Sequence, residues 1–276
     1  MQKSRNQDGP HDAGALASGY TASHRLYEYC GIVAACATSA WLVVWTAHCP
    51  SLSGWWTPLA ALVGILLADF TSGFVHWMFD SWGEVDTPIV GKLAIRTFRH
   101  HHVDQKAITV HDFIETNGHN ISLTVIYSVS GFLTLRGEAS LFDVFVAQSL
   151  ICATFFTAFT SQIHKWAHAD RPSRVVQLLQ RSRIILSPEH HAHHHAAPYT
   201  RNYCITVGWM NGPLRAIRFF ETLERTITAV TGVVPRVDDL GKDAAIEVAA
   251  ENDALDVLDV LDVLDVKDSK EARREA

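Results

Sequence analysis

Residues 141–163 read LFDVFVAQSLICATFFTAFTSQI and run straight into HKWAH at 164–168. The only charge in the first stretch is Asp143, close to its start. As a helix rising about 1.5 Å per residue it is ~35 Å long, enough to cross a ~30 Å hydrocarbon layer. His164 and His168 follow at a spacing of four, so a continuing helix turns both imidazoles to one side just where the apolar run ends. A membrane span that hands over to a pair of metal-type ligands is the pattern from which the rest of the chain is read.

Three further apolar segments surround it. Residues 56–78 are long enough to span, and residues 29–47 and 121–135 stand near the short limit. The 276-residue chain is 48% hydrophobic, and its apolar residues concentrate in these runs. The expected fold is all-α: a multi-pass membrane helical bundle of about four transmembrane helices with a cytoplasmic histidine-rich cap. Four spans put both termini on one side. The connection at 48–55 holds no Lys or Arg and that at 136–140 holds one, whereas 92–106 and 165–183 are rich in them. Because basic loops stay inside, the longer loops and both termini are expected to be cytoplasmic. Trp41, Trp45, Trp55, Trp56 and Trp77 lie near the span ends, where amphipathic rings meet headgroups.

Three units follow along the chain. Residues 1–25 form a polar tail without the order of a signal peptide, residues 26–235 the membrane domain, and residues 236–276 a weakly ordered, low-complexity tail. Within that tail 255–266 reads LDVLDVLDVLDV, whose period of three fits neither helix nor strand. Segments 174–186 and 214–233 are apolar at helical spacing, suited to the membrane surface or to capping the bundle. The net charge of −6 comes largely from the last forty residues and points to no nucleic-acid partner. The five cysteines are scattered among apolar runs, which argues against a disulfide framework.

Sixteen histidines are a large excess, and most fall in four groups at one predicted membrane depth. His76 ends the span at 56–78, with Asp80 one helical turn later. His101 and His102 stand in FRHHHVD, and His111 opens HDFIETNGHN. His164 and His168 come next, and PEHHAHHH at 188–195 supplies His190, His191, His193, His194 and His195. A histidine-rich run alone is a compositional feature, but four runs brought together by the topology are a site. Eight or more imidazoles exceed what one ion needs, so a two-metal centre is expected. Imidazole serves iron, copper, nickel and zinc alike, which leaves the metal open at this point. His100 and His193 fit the spacings least well and are set aside; His11, His24 and His48 read as isolated surface or internally satisfied residues.

The motifs DFTSGFVHWMFDSWG, FRHHHVD with HDFIETNGHN, QIHKWAH, and ILSPEHHAHHHAAP followed by YCITVGWMNGPL resemble the plasmanylethanolamine desaturases, the Kua-type lipid desaturase family of membrane di-iron proteins. The resemblance runs from about 69 to 234. It implies two ferrous ions that activate O2, with removal of hydrogen from the alkyl chain of an ether phospholipid to leave the vinyl ether of a plasmalogen. It also implies metal ligands at His76, His101, His102, His111, His164, His168, His190, His191, His194 and His195. Where the family usually has an acidic residue this chain has His100, and where the family has an apolar or other residue this chain has His193. Asp80, Glu115 and Asn117 lie in matching motifs, as a carboxylate ligand or as partners behind the ligands.

Taking hydrogen from an unactivated methylene needs an oxidant that no side chain supplies. Lys92, Arg96, Arg99 and Lys165 stand where a phospholipid headgroup would rest. The chain shows no dinucleotide fingerprint, no CxxCH and no iron–sulfur spacing, so electrons are expected from an external donor, ferredoxin- or cytochrome b5-like with its reductase. The expected location is a bacterial inner membrane, or the endoplasmic reticulum in a eukaryote. Three other readings remain: desaturation or hydroxylation of an acyl chain on a glycerolipid such as phosphatidylglycerol; metal transport, which needs ionisable residues lining a path through the spans; and a non-catalytic assembly factor, which predicts no bound redox metal.

Overall fold

The computed structural model describes residues 20–49, 54–135, 138–196 and 199–235. Among them every regular element is helical: α1 (Ala22–Ala47), α2 (Thr57–Ser81), α3 (Arg96–Val103), α4 (Ala107–Val110), α5 (Phe113–Thr134), α6 (Leu141–His168), α7 (Arg174–Arg181), α8 (Pro188–Ala192), α9 (Asn211–Ala216) and α10 (Phe219–Thr231). A π-helical turn, Gly91–Ile95, leads into α3. The expected tails lie outside the described residues, except for 20–25.

Three helices, α1, α2 and α6, are long and apolar enough to cross a membrane. α5 has comparable length but carries Asn117, His119 and Asn120 in its first half. It affords them because it packs between α1 and α6: Asn120 Nδ2 donates to Ser161 Oγ at 2.7 Å and Asn117 Nδ2 to Gln162 Oε1 at 3.4 Å. Its other flank meets α1, where Ser39 and Ser128 hydroxyls lie 3.0 Å apart and Arg25 forks onto Asp112 at 2.7 and 2.5 Å. In a layer without water such side-chain bonds must be internal.

These pairings set directions. α1 and α5 run parallel, away from one end of the bundle; α2 and α6 run back toward it, side by side, with Cys152 donating to the Ala61 carbonyl at 3.3 Å. At the far end Leu42, Leu135, Val144 and Ala147 close a core between α1, α5 and α6. The near end therefore collects the C-termini of α2 and α6 and the N-terminus of α5. Short helices α3, α4 and α7–α9 fold over it, and a second core of Ile163, Ala167, Val176, Ile185, Leu186 and Ile205 joins α7 and the segments around 185 and 205 to the end of α6.

The segment expected to be helical over 174–186 stops at Arg181, and Arg183 adopts φ 55°. That expected over 214–233 is broken between α9 and α10 by Arg218 at φ 50°. Left-handed backbone cannot continue a right-handed helix. α1 begins seven residues before the apolar run because its polar first turns are themselves packed: Glu28 is fully buried, with Tyr20 Oη at 2.5 Å and His119 Nδ1 at 3.1 Å.

Candidate metal centre

Four elements deliver the histidines to the near end. The last turns of α2 place His76 and Asp80 one above the other, with Nε2 and Oδ2 3.3 Å apart. α6 does the same for His164 and His168. α3 presents His101 and His102, which as neighbours point to different sides of the helix. α8 begins at Ser187, whose hydroxyl accepts from the His190 N–H at 3.2 Å, and Pro188 occupies its first turn, a favoured start. One further turn carries His191 round to His194 and His195.

Two groups result. One gathers His101, His164, His168, His191 and His195; the other His76, Asp80, His102 and His194; within each, the ligand atoms all lie within 4.8 Å of one another. The groups adjoin, because the neighbours His101/His102 and His194/His195 are divided between them.

In the first group the Nε2 atoms of His164, His168 and His191 form a triangle with sides of 2.7, 2.8 and 3.2 Å, and His195 and His101 continue it in steps of 2.9 Å. An imidazole Nε2 either carries a hydrogen or offers a lone pair. Three cannot all bond pairwise, since at least one side of the triangle joins like to like. A cation facing all the lone pairs removes that conflict. Ligands at right angles about an ion, with metal–nitrogen bonds of ~2.1 Å, stand ~3.0 Å apart, the spacing seen here. The residues present therefore fit a metal.

The second group mixes three imidazoles with one carboxylate: Asp80 Oδ2 lies 3.3–3.6 Å from the Nε2 atoms of His76, His102 and His194. His76 Nδ1 donates to the Tyr203 carbonyl at 3.2 Å and His194 Nδ1 to that of Arg201 at 2.9 Å. A carbonyl only accepts, so the proton sits on Nδ1 and Nε2 turns its lone pair inward. Burial holds the imidazoles of His101 and His191 well below the usual histidine range, and brings His194 down to about 4 and His195 to about 2. They are neutral near pH 7, the form that binds a metal without first losing a proton.

The two remaining histidines of the expected ligand set stand apart from both groups. His111 lies 3.7 Å from Glu115 and 6.3 Å, ring to ring, from His100; its carbonyl accepts from Lys165 Nζ at 2.5 Å. His190 pairs with Asn211 Nδ2 at 2.9 Å. His100 is buried and His193 exposed, and neither joins a group. Asn117 is buried against α6, its Nδ2 donating to the Phe113 carbonyl at 2.9 Å as well as to Gln162. Arg96 and Arg99 are buried in the cap and Lys92 is exposed. Sequence spacing gave Asp80 no more weight than Glu115; its i,i+4 relation to His76 was the available signal. Asp69 is fully buried in α2, and its carboxylate accepts from the backbone N–H groups of Val207, Gly208 and Met210.

Residues 65–238 match the lipid desaturase domain family. The chain is 46% identical over 235 residues to the plasmanylethanolamine desaturase of Myxococcus xanthus, covering 85% of this chain and 83% of that one. It is 42% identical over 242 residues to plasmanylethanolamine desaturase 1 of Mus musculus, covering 84% and 88%. Fatty acid desaturase 4, chloroplastic, of Arabidopsis thaliana is 36% identical over 180 residues, 64% of this chain and 54% of the relative. No solved structure matches the chain.

Proposed function

We propose, since this chain belongs to the lipid desaturase family, that it is a membrane di-iron desaturase that converts the alkyl ether chain of a plasmanyl phospholipid into a vinyl ether. The observation that carries the metal reading is the pair of adjoining, buried ligand groups. The proposed ligands are His101, His164, His168, His191 and His195 for one ion and His76, Asp80, His102 and His194 for the other. His111 and His190 serve outside the ligand groups, through the contacts described above.

The reaction balances as follows. Two hydrogens leave adjacent carbons of the chain, one O2 is reduced, and two electrons and two protons from outside complete two waters. Iron supplies the O2 activation when bound; the protein supplies placement and dryness. His191 and His194 are almost wholly shielded from solvent, which limits loss of an oxidising species to water. The near end of the bundle lies at the membrane boundary. A headgroup can rest there while its chain enters the apolar layer, which places the bond next to the ether oxygen at the depth of the histidines. Within that layer α1, α5 and α6 leave a cleft of about 300 Å3 lined by Ala35, Leu42, Ile121, Ile151 and Phe155, apolar volume for part of a lipid chain. The two electrons come from a separate ferredoxin- or cytochrome b5-like donor. The site end faces the cytoplasm by the distribution of basic loops.

The purified, iron-loaded full chain, given plasmanyl lipid and a reductant through ferredoxin, is expected to consume one O2 per vinyl ether formed. Product that survives mild acid would instead place the double bond in an ester-linked acyl chain; the Arabidopsis relative is named a fatty acid desaturase.

A further inference from the structure

The two ligand groups are supported differently. His76 and His194, both of the carboxylate-bearing group, lean on carbonyls only two residues apart, Tyr203 and Arg201. In the five-histidine group the Nδ1 atoms of His101, His191 and His195 have no hydrogen-bond partner among the described residues. One non-helical strap, residues 201–210, therefore orients half of the second group.

Four of that strap's backbone N–H groups are fastened to side chains of α2. Asp69 Oδ1 accepts from the N–H groups of Val207 and Gly208, and Oδ2 from that of Met210, each at 2.9 Å. Ser72 Oγ accepts from the Ile205 N–H at 3.0 Å. Gly73 lets the strap lie this close: a Cβ there would stand 2.4 Å from Cys204 Sγ and 3.1 Å from its nitrogen. Asn211 closes the far side, accepting from Cys204 N–H and donating to Cys204 O, both at 2.9 Å. Three bonds to one buried carboxylate are charge-assisted and stronger than neutral ones.

We infer that Asp69 is a positioning residue for the second metal site: it holds the 201–210 strap so that His76 and His194 present Nε2 to the ion. The inference rests on the proposed two-metal reading. Asparagine at 69 keeps one acceptor oxygen but puts an N–H2 where the other stood, facing a backbone N–H. The strap then shifts, and the orienting bonds of both histidines go with it. Loss of such outer bonds weakens metal binding by about 10–100-fold.

The test is an anaerobic Fe(II) titration of the purified full chain. The wild type is expected to bind two ions. Asp69→Asn is expected to keep one of them at wild-type affinity and to bind the other about 10–100-fold more weakly. Asp143→Asn, which weakens the capping box at the opposite end of α6, is expected to keep both. Unchanged affinity at both sites in Asp69→Asn, or equal weakening of both, overturns the inference. If Asp69→Asn does not fold, Ser72→Ala, which removes the Ile205 anchor and the bond from Ser72 Oγ to the Asp69 carbonyl but leaves the Asp69 carboxylate in place, is read the same way: selective weakening of one ion supports the strap and wild-type binding overturns it. A wild-type chain that binds fewer than two ions overturns the two-metal reading, and this inference with it.

Discussion

Alanine in place of His164 is expected to leave the chain folded, to lower its bound iron to about one ion per chain and to take double-bond formation below detection. His164 Nε2 stands 2.7 Å from that of His191 and 3.2 Å from that of His168, so it forms two sides of the triangle whose three pairwise bonds the imidazoles alone cannot complete. Removing an outer hydrogen-bond partner of a ligand already costs about 10–100-fold in affinity; removing the ligand costs more than the upper end of that range. The fold tolerates the change because α6 is held elsewhere, by Val144 and Ala147 at the far end and by Ile163 and Ala167 in the cap. Metal analysis and lipid product measured on the same preparation check this. His193→Ala, on an exposed side chain outside both groups, is expected to leave both values unchanged.

Valine in place of Gly64 has the largest expected effect on the bundle itself. A Cβ at 64 would stand 2.3 Å from the Ser149 carbonyl oxygen, 2.6 Å from Cys152 Cβ and 3.0 Å from the Ala153 nitrogen. Two of these are backbone atoms, so α2 and α6 must move apart. Small residues are what let membrane helices approach this closely, and overpacking costs about 1–3 kcal/mol. At roughly 2–4 °C per kcal/mol for a domain of this size, the melting temperature in detergent is expected to fall by about 2–12 °C. α2 and α6 also carry His76 and His164, whose rings lie 6.0 Å apart, so iron retention falls with it. Gly212→Ala, where a Cβ meets nothing within 4 Å, is expected to melt with the wild type.

The spans were legible where lipid selects for apolarity and obscure where protein does. The run at 141–163 is the body of α6, and the run at 56–78 that of α2. The run at 121–135 is only the lipid-facing half of α5: Asn117, His119 and Asn120 find partners on α1 and α6, so hydropathy missed the first eight residues. The breaks at Arg183 and Arg218 were not legible, because arginine carries no signal for left-handed backbone. At the site, spacing showed which segments converge but not how neighbours divide. His101 and His102, like His194 and His195, go to opposite groups because adjacent residues on a turn face different ways. His111 and His190 sit in the same motifs as the gathered residues, and their separation depends on how α4 and α8 pack. Asp69 was visible only as a lone acid in an apolar run; its three acceptor bonds join residues 138 to 141 positions away in sequence.

The measurement that bears most directly on the proposed activity is mass spectrometry of acid-labile vinyl-ether lipid in plasmalogen-free cells that express this chain and are fed an alkyl ether lipid. Vinyl ether is expected in cells carrying the wild-type chain and none in cells carrying His164→Ala. Alkyl ether lipid left unconverted by an iron-loaded wild-type chain would contradict the proposed activity.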